Sequence, residues 1–274
     1  MAMKKTITPL YILLLSCLLA ACNIEPEVTD IDLDDTNPKL VVEGLITDQA
    51  GPYFVKLSLT TSYYTTGATP KINDAAITIA DDTGNREVLS RVEGQEGIYQ
   101  TNSLRGQVGR TYFLTVTYKG QEYTASAYLP SGITIDSLVY SYQPKQTFFE
   151  EGYYVSIYAK EPFSDRNYYR WYLYKNDSLY NSSNDIDLET DEFYTTTIDS
   201  LPIIQKFDLS DKVRINIHSL TKEAYEYYQG LSNVLNTDGG LFGSPPKNPQ
   251  SNISNGALGI FRASKVSSKE IVIE

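Results

Sequence analysis

The densest chemistry in the chain is one run, Tyr168-Tyr169-Arg170-Trp171-Tyr172-Leu173-Tyr174. Read as a strand, it sets Tyr168, Arg170, Tyr172 and Tyr174 on one face and Tyr169, Trp171 and Leu173 on the other. Amphipathic rings give large contact area at low entropic cost. The first face therefore suits stacking on a sugar or docking of a peptide or protein. A plainer reading fits the same residues: Trp171 and Leu173 fill a core, and the other face carries ordinary exposed tyrosines. His218 is the single histidine. No Gly-x-Ser-x-Gly elbow accompanies it, and it stands at a predicted strand-to-helix junction. That favours a capping or surface role over a Ser–His–Asp relay. Asp185, Asp187, Glu189, Asp191 and Glu192 alternate with Ile186, Leu188 and Thr190. Hard oxygen ligands at this spacing could hold calcium, but acids alternating along a strand are also what a solvated sheet edge requires.

Composition narrows the remaining chemistry. The 274 residues are 41% hydrophobic and 21% charged, enough for a substantial core and one large or two ordinary domains. Thirty-four acidic residues face 23 basic ones, a net charge of −11 with no basic stripe. Nucleic acid is thus not an expected partner, because phosphate neutralisation supplies most of that affinity. Two cysteines and one histidine cannot build a zinc centre, an iron–sulfur site or a disulfide framework. The many carboxylates leave glycoside hydrolysis formally open, yet nothing selects a pair. Gly239-Gly240 lacks the Lys-Ser/Thr of a phosphate loop. No catalytic residue, metal or cofactor is assigned, and an enzyme is not expected.

Residues 1–21 read as a secretory signal: Lys4 and Lys5, an apolar run from Ile7 to Leu19, then Leu19-Ala20-Ala21-Cys22. The run is too short for a convincing membrane span. Its ending resembles a bacterial lipobox. The resemblance implies acylation of the Cys22 sulfur, cleavage before Cys22 and a third acyl chain on the freed amine; several chains anchor stably where one does not. Processing removes Cys17, Lys4 and Lys5, so 21 of the 23 basic residues remain against 34 acidic ones, a net of −13. Residues 22–38, with Glu25, Glu27, Asp30, Asp32, Asp34 and Asp35, form an acidic tether. They also resemble the surface-export signal of Bacteroidota lipoproteins. A calcium loop would need a glycine and a distal glutamate that are missing at the required offsets.

Positioning these residues falls to strands. From Lys39 to Pro130 the apolar pattern has period two: Val55, Leu57 and Leu59; Ile77 and Ile79; Tyr112, Leu114, Val116 and Tyr118. Turn chemistry separates the runs at Asp81-Asp82-Thr83-Gly84-Asn85, Glu93-Gly94-Gln95-Glu96-Gly97 and Lys119-Gly120. Six or seven short strands predict an immunoglobulin-like β-sandwich over 39–130, complete enough to fold alone. Pro130-Ser131-Gly132 reads as a domain break. Residues 131–274 predict a second β-rich domain, a curved sheet or partly closed barrel. It carries one helix through Leu220, Ala224, Tyr227, Leu231 and Val234, with Ser219 as N-cap. Gly256 to Ile273 reads as two closing strands.

Two segments carry a family resemblance. Lys39-Leu40-Val41-Val42-Glu43-Gly44-Leu45-Ile46-Thr47-Asp48 opens the first domain. Asn248-Pro249-Gln250-Ser251-Asn252-Ile253-Ser254-Asn255-Gly256-Ala257-Leu258-Gly259-Ile260-Phe261 closes the chain. With the lipobox, they resemble domain-of-unknown-function family 4249, two-domain lipoproteins of Bacteroidota. That family has no established catalytic residues. The resemblance implies a lipid-anchored outer-membrane protein facing the cell exterior, an accessory binding subunit of a TonB-dependent transporter. The alternative is a structural component of another envelope complex with no small ligand. Asp-Ser-Leu recurs with Ser137, Ser178 and Ser200 at its centre. It resembles a Bacteroidota O-glycosylation motif, although Asp-Ser is also ordinary turn chemistry.

Overall fold

The computed structural model describes residues 38–61, 67–147, 150–160, 166–180, 186–193, 197–237 and 247–274. Cys22 and the acidic tether lie outside them. Pro38–Glu274 forms one compact unit. It is mainly β, and among the described residues no sheet closes into a barrel.

The first half folds as β1 (Leu40–Thr47), β2 (Phe54–Leu59), β3 (Ala76–Asp81), β4 (Arg86–Val88), β5 (Ser90–Arg91), β6 (Ile98–Gln100), β7 (Thr111–Tyr118) and β8 (Gln121–Tyr128). The second half adds β9 (Thr134–Gln143), β10 (Gly152–Lys160), β11 (Tyr168–Lys175), β12 (Ser178–Leu179), β13 (Asp187–Thr190), β14 (Thr197–Phe207) and β15 (Lys212–Leu220). Helix α1 (Lys222–Asn236) follows, then β16 (Leu258–Ser264) and β17 (Val266–Val272).

Period-two patterning becomes alternating burial. In β7, Tyr112, Leu114, Val116 and Tyr118 point inward while Phe113 and Thr117 are exposed. Hairpin ends carry the expected turn chemistry. Lys119 and Gly120 both have positive φ, 48° and 76°, and join β7 to β8 in a two-residue loop. At the β3–β4 turn, the Asp81 carboxylate accepts from the Thr83 and Asn85 amides at 2.9 and 3.0 Å.

Sheet β4-β3-β7-β8 faces sheet β16-β1-β2-β6-β5 across one core that includes Val42, Val55, Ile77, Leu114 and Phe261. This is a sandwich, and one of its strands comes from the far end of the chain. β16 runs parallel to β1, pairing Val42 with Gly259 and Gly44 with Phe261. The two segments that carry the family resemblance are therefore neighbouring strands. A Cβ on Gly259, whose φ is +98°, would sit 2.0 Å from the Val42 carbonyl oxygen. Asn252 secures the approach: its amide donates to the Phe261 carbonyl at 2.7 Å and its oxygen accepts from the Phe261 N–H at 3.0 Å.

Sheets β14-β10-β9 and β12-β11-β15-β17 enclose a second core containing Val155, Ile157, Tyr169, Phe207, Val213, Ile215 and Ile217. The Pro130–Gly132 connection between the halves is clamped. Lys265 Nζ donates to the Gly132 carbonyl and to Thr134 Oγ1 at 2.5 and 2.6 Å, and Ser219 Oγ donates to the Pro130 carbonyl at 3.2 Å. Ser219 is thus occupied elsewhere and does not cap the helix. Thr221 does, accepting from the Ala224 N–H at 3.3 Å. Ala224 and Tyr228 of α1 are buried with Leu220 and Ile260 in a third small core on the outer face of β11 and β15.

Candidate functional site

β11 divides its side chains as period two requires. Tyr169 is 2% exposed and, with Trp171 and Leu173, packs into the second core. Tyr168, Arg170, Tyr172 and Tyr174 take the opposite face, but not as a bare platform. Helix α1 lies over it. The Tyr168 and Tyr225 ring centroids are 5.0 Å apart. The Arg170 guanidinium lies 4.8 Å from the Tyr172 ring and 4.3 Å from the Tyr228 ring. Tyr174 stands apart from this group, with Arg214 stacked 4.0 Å from its ring.

The residue that completes the cluster comes from β16. Phe261 and Ala263 point into the sandwich core, so Ile260, Arg262 and Ser264 point the other way, toward α1 and β11. Arg262 is only 6% exposed. Its Nε donates to Tyr228 Oη at 2.9 Å, Nη1 to Ser264 Oγ at 2.7 Å, and Nη2 to Tyr172 Oη at 3.2 Å. Nη1 also lies 3.5 Å from His218 Nδ1. Sequence reasoning passed over Arg262. The signal available was a lone charge inside an otherwise apolar and small closing strand, Leu258-Gly259-Ile260-Phe261-Arg262-Ala263-Ser264.

His218 needs correction. β15 runs two residues past it, and its ring is half-buried beneath the cluster, 4.7 Å from the Tyr172 ring. It is neither a cap nor a surface residue. Burial pushes its pKa well below the ordinary value, and the Arg262 and Arg170 charges push it further. The imidazole is therefore neutral at pH 7. Burial also pushes the Tyr227 hydroxyl up to about 12, helped by Tyr228 and Glu43.

Arg170, Tyr172, Tyr228 and Arg262 form one wall of a cavity of about 590 Å³. Tyr227 and Leu231 of α1 also line it, with Glu43 of β1, the strand paired with β16, and Phe54 and Lys56 of β2. Among the described residues, no carboxylate lies within 4.0 Å of either guanidinium, although both stay charged. The cavity thus combines aromatic walls, two arginines, Lys56 and one carboxylate, Glu43.

The other sequence-stated positions are dispersed. Ser137 lies in β9, Ser178 in β12 and Ser200 in β14, all exposed. Ser200 has φ 61°, in a two-against-one bulge opposite Tyr158. Asp187 and Glu189 are exposed on β13, which among the described residues pairs with β11 alone, while Leu188 turns toward α1; this is edge geometry. Asp185 lies outside the described residues. Among the described residues no group of three His, Cys, Asp or Glu side chains could hold a metal.

Two sandwiches joined by β16, with a cavity under α1, define a mainly β, sandwich-like protein. The chain belongs to the family described as Domain of unknown function (DUF4249), whose model matches residues 26–270. No curated protein matches it. Among solved structures, it is similar to a DUF4785 family protein from Legionella pneumophila at 8% identity and a TM-score of 0.25, covering 68% of this chain. The chain spans about half of that protein, 53%. It is also similar to CBD12 from CALX1.2, at 8% identity and a TM-score of 0.18, covering 84% of this chain and all of that one.

Proposed function

We propose that this chain is a non-catalytic outer-membrane lipoprotein. Acyl groups on Cys22 anchor it at the cell exterior, where it serves as an accessory binding subunit of a TonB-dependent transporter. The observation that carries the binding role is the cavity between β1, β2, β11, α1 and β16. It offers aromatic walls and two arginines that no carboxylate neutralises among the described residues. Such a surface holds a ligand; it supplies no nucleophile activated by a neighbouring base. The lipobox ending at Cys22 supports the location.

Membrane fractionation and affinity capture of the native protein and of Cys22→Ala test this reading together. The native protein is expected in the outer-membrane fraction with a transporter subunit in stoichiometric amount, and Cys22→Ala is expected to leave that fraction. Unchanged retention of Cys22→Ala, or capture of the native protein with no transporter, would overturn it.

A further inference from the structure

We infer that Arg170 and Arg262 together form the recognition site for a small organic anion, one that offers a carboxylate or phosphate group on an apolar or aromatic body. The inference deepens the binding role proposed above and rests on it for biological meaning, though not for its test.

Uncompensated charge is the first argument. Elsewhere, Arg110 lies 3.1 Å from Asp82, Arg166 lies 3.1 Å from Glu192 and Arg214 lies 3.9 Å from Glu270, while Arg86, Arg91 and Arg105 are exposed to solvent. Arg170 and Arg262 find none among the described residues, yet both lie against the same Tyr228 ring, at 4.3 and 5.4 Å. Two like charges this close repel, and Arg262 is also removed from water. Aromatic faces offset part of that cost. An incoming oxyanion would offset the rest.

Open hydrogen-bonding capacity is the second. Arg170 Nε is buried and has no hydrogen-bond partner. Arg262 uses Nη2 on Tyr172 alone, leaving one of that nitrogen's two N–H groups free. A guanidinium fork matches the spacing of carboxylate or phosphate oxygens.

The size and lining of the cavity set the rest of the ligand. The cavity of about 590 Å³ lies within the range for small-molecule sites. Phe54, Tyr227 and Leu231 add apolar surface to the same cavity. Its one carboxylate, Glu43, is more than 4.0 Å from both guanidinium groups and faces Lys56 across the β1–β2 pair. A compound with one acidic end and an apolar body fits this lining.

The only histidine makes the test direct. His218 Nδ1 is 3.5 Å from Arg262, so its ring reports the local field without assignment ambiguity. The full chain in detergent is titrated with benzoate, phenyl phosphate and neutral benzamide while the His218 ring resonance is followed by NMR. Either anion should shift that resonance and raise the apparent pKa of His218; benzamide should do neither. The stronger of the two anions identifies the acidic group. Arg170→Gln should weaken anion binding by at least about tenfold, because a charge-assisted bond is lost. Arg170→Lys should retain part of the affinity. Arg170 is not fully buried, so these variants keep the test open if an Arg262 variant fails to fold. Benzamide binding as tightly as benzoate, unchanged affinity in Arg170→Gln, or no His218 response to millimolar anion would overturn the inference. No transporter enters this titration. A failed capture therefore leaves a positive titration standing, and a failed titration leaves the accessory role to be judged by capture.

Discussion

His218 shows how a single side chain's surroundings decide its chemistry. Its neighbours are Tyr172 on β11, Arg170 beside it, and Arg262 on β16. Burial and the two guanidinium charges hold the folded-state pKa well below the ordinary value of 6.5. The unfolded chain therefore binds a proton, on acidification, before the folded chain does. Stability from this group is fully present above about pH 6.5 and is lost as pH falls from there toward the depressed folded value. The slope in that window approaches about 1.4 kcal/mol per pH unit, the limit for one proton. Denaturant melts of the native chain and His218→Asn between pH 7 and 5 check this. The stability of the native chain relative to His218→Asn should fall as pH falls, and a pH-independent difference would contradict it. The aromatic run itself was legible: period two correctly separated Tyr169 from Tyr168 and Arg170. What could not be read was that α1 would cover part of that face. Nor was it legible that Arg262, some ninety residues on, would meet Tyr172, because both depend on non-local packing.

At the scale of elements, β16 does the joining. One face closes the sandwich through Phe261 and Ala263; the other supplies Ile260 and Arg262 to the cavity side. Its position is fixed by Gly259, which brings the backbone against Val42 at a distance and φ that no other residue tolerates easily. Gly259→Ala should therefore destabilise the chain by at least about 2 kcal/mol and lower its thermal midpoint. It should also disturb the His218 resonance, since Arg262 moves with the strand. A melt unchanged from the native protein would mean that the β1–β16 contact does not set the position of β16. In the sequence, β16 was visible as a closing strand because its apolar pattern is local. Its parallel pairing with β1 was not, since no local turn specifies a partner more than two hundred residues away. The helix was likewise legible from its period. Its cap was misplaced by two residues because Ser219 and Thr221 are both good capping types, and only tertiary contacts show that Ser219 is engaged with Pro130 and Lys265.

On the scale of the whole molecule, the two halves share structure rather than merely sitting in series. The sandwich of residues 39–130 satisfied the strand pattern in sequence, yet its core uses Ile253, Ala257, Phe261 and Ala263. A fragment ending near Ser131 leaves those apolar contacts unmade and the edge of β1 unpaired. It should show a markedly lower melting point than the full chain, or poor amide dispersion. Adding a peptide that spans residues 248–264 should restore it. A fragment as stable as the full chain would show that β16 is dispensable. The same shared strand places Arg262 beside Arg170, so fold completion and site completion are one event. If this junction binds a ligand in the membrane, as proposed, the ligand accompanies the protein on capture. The most direct measurement is mass spectrometry of small molecules released from the protein captured out of native outer membranes, compared with Arg170→Gln captured the same way. An acidic organic compound is expected in stoichiometric amount from the native protein, depleted at least about tenfold in the variant. Equal release from both proteins, or release of neutral compounds alone, would contradict it.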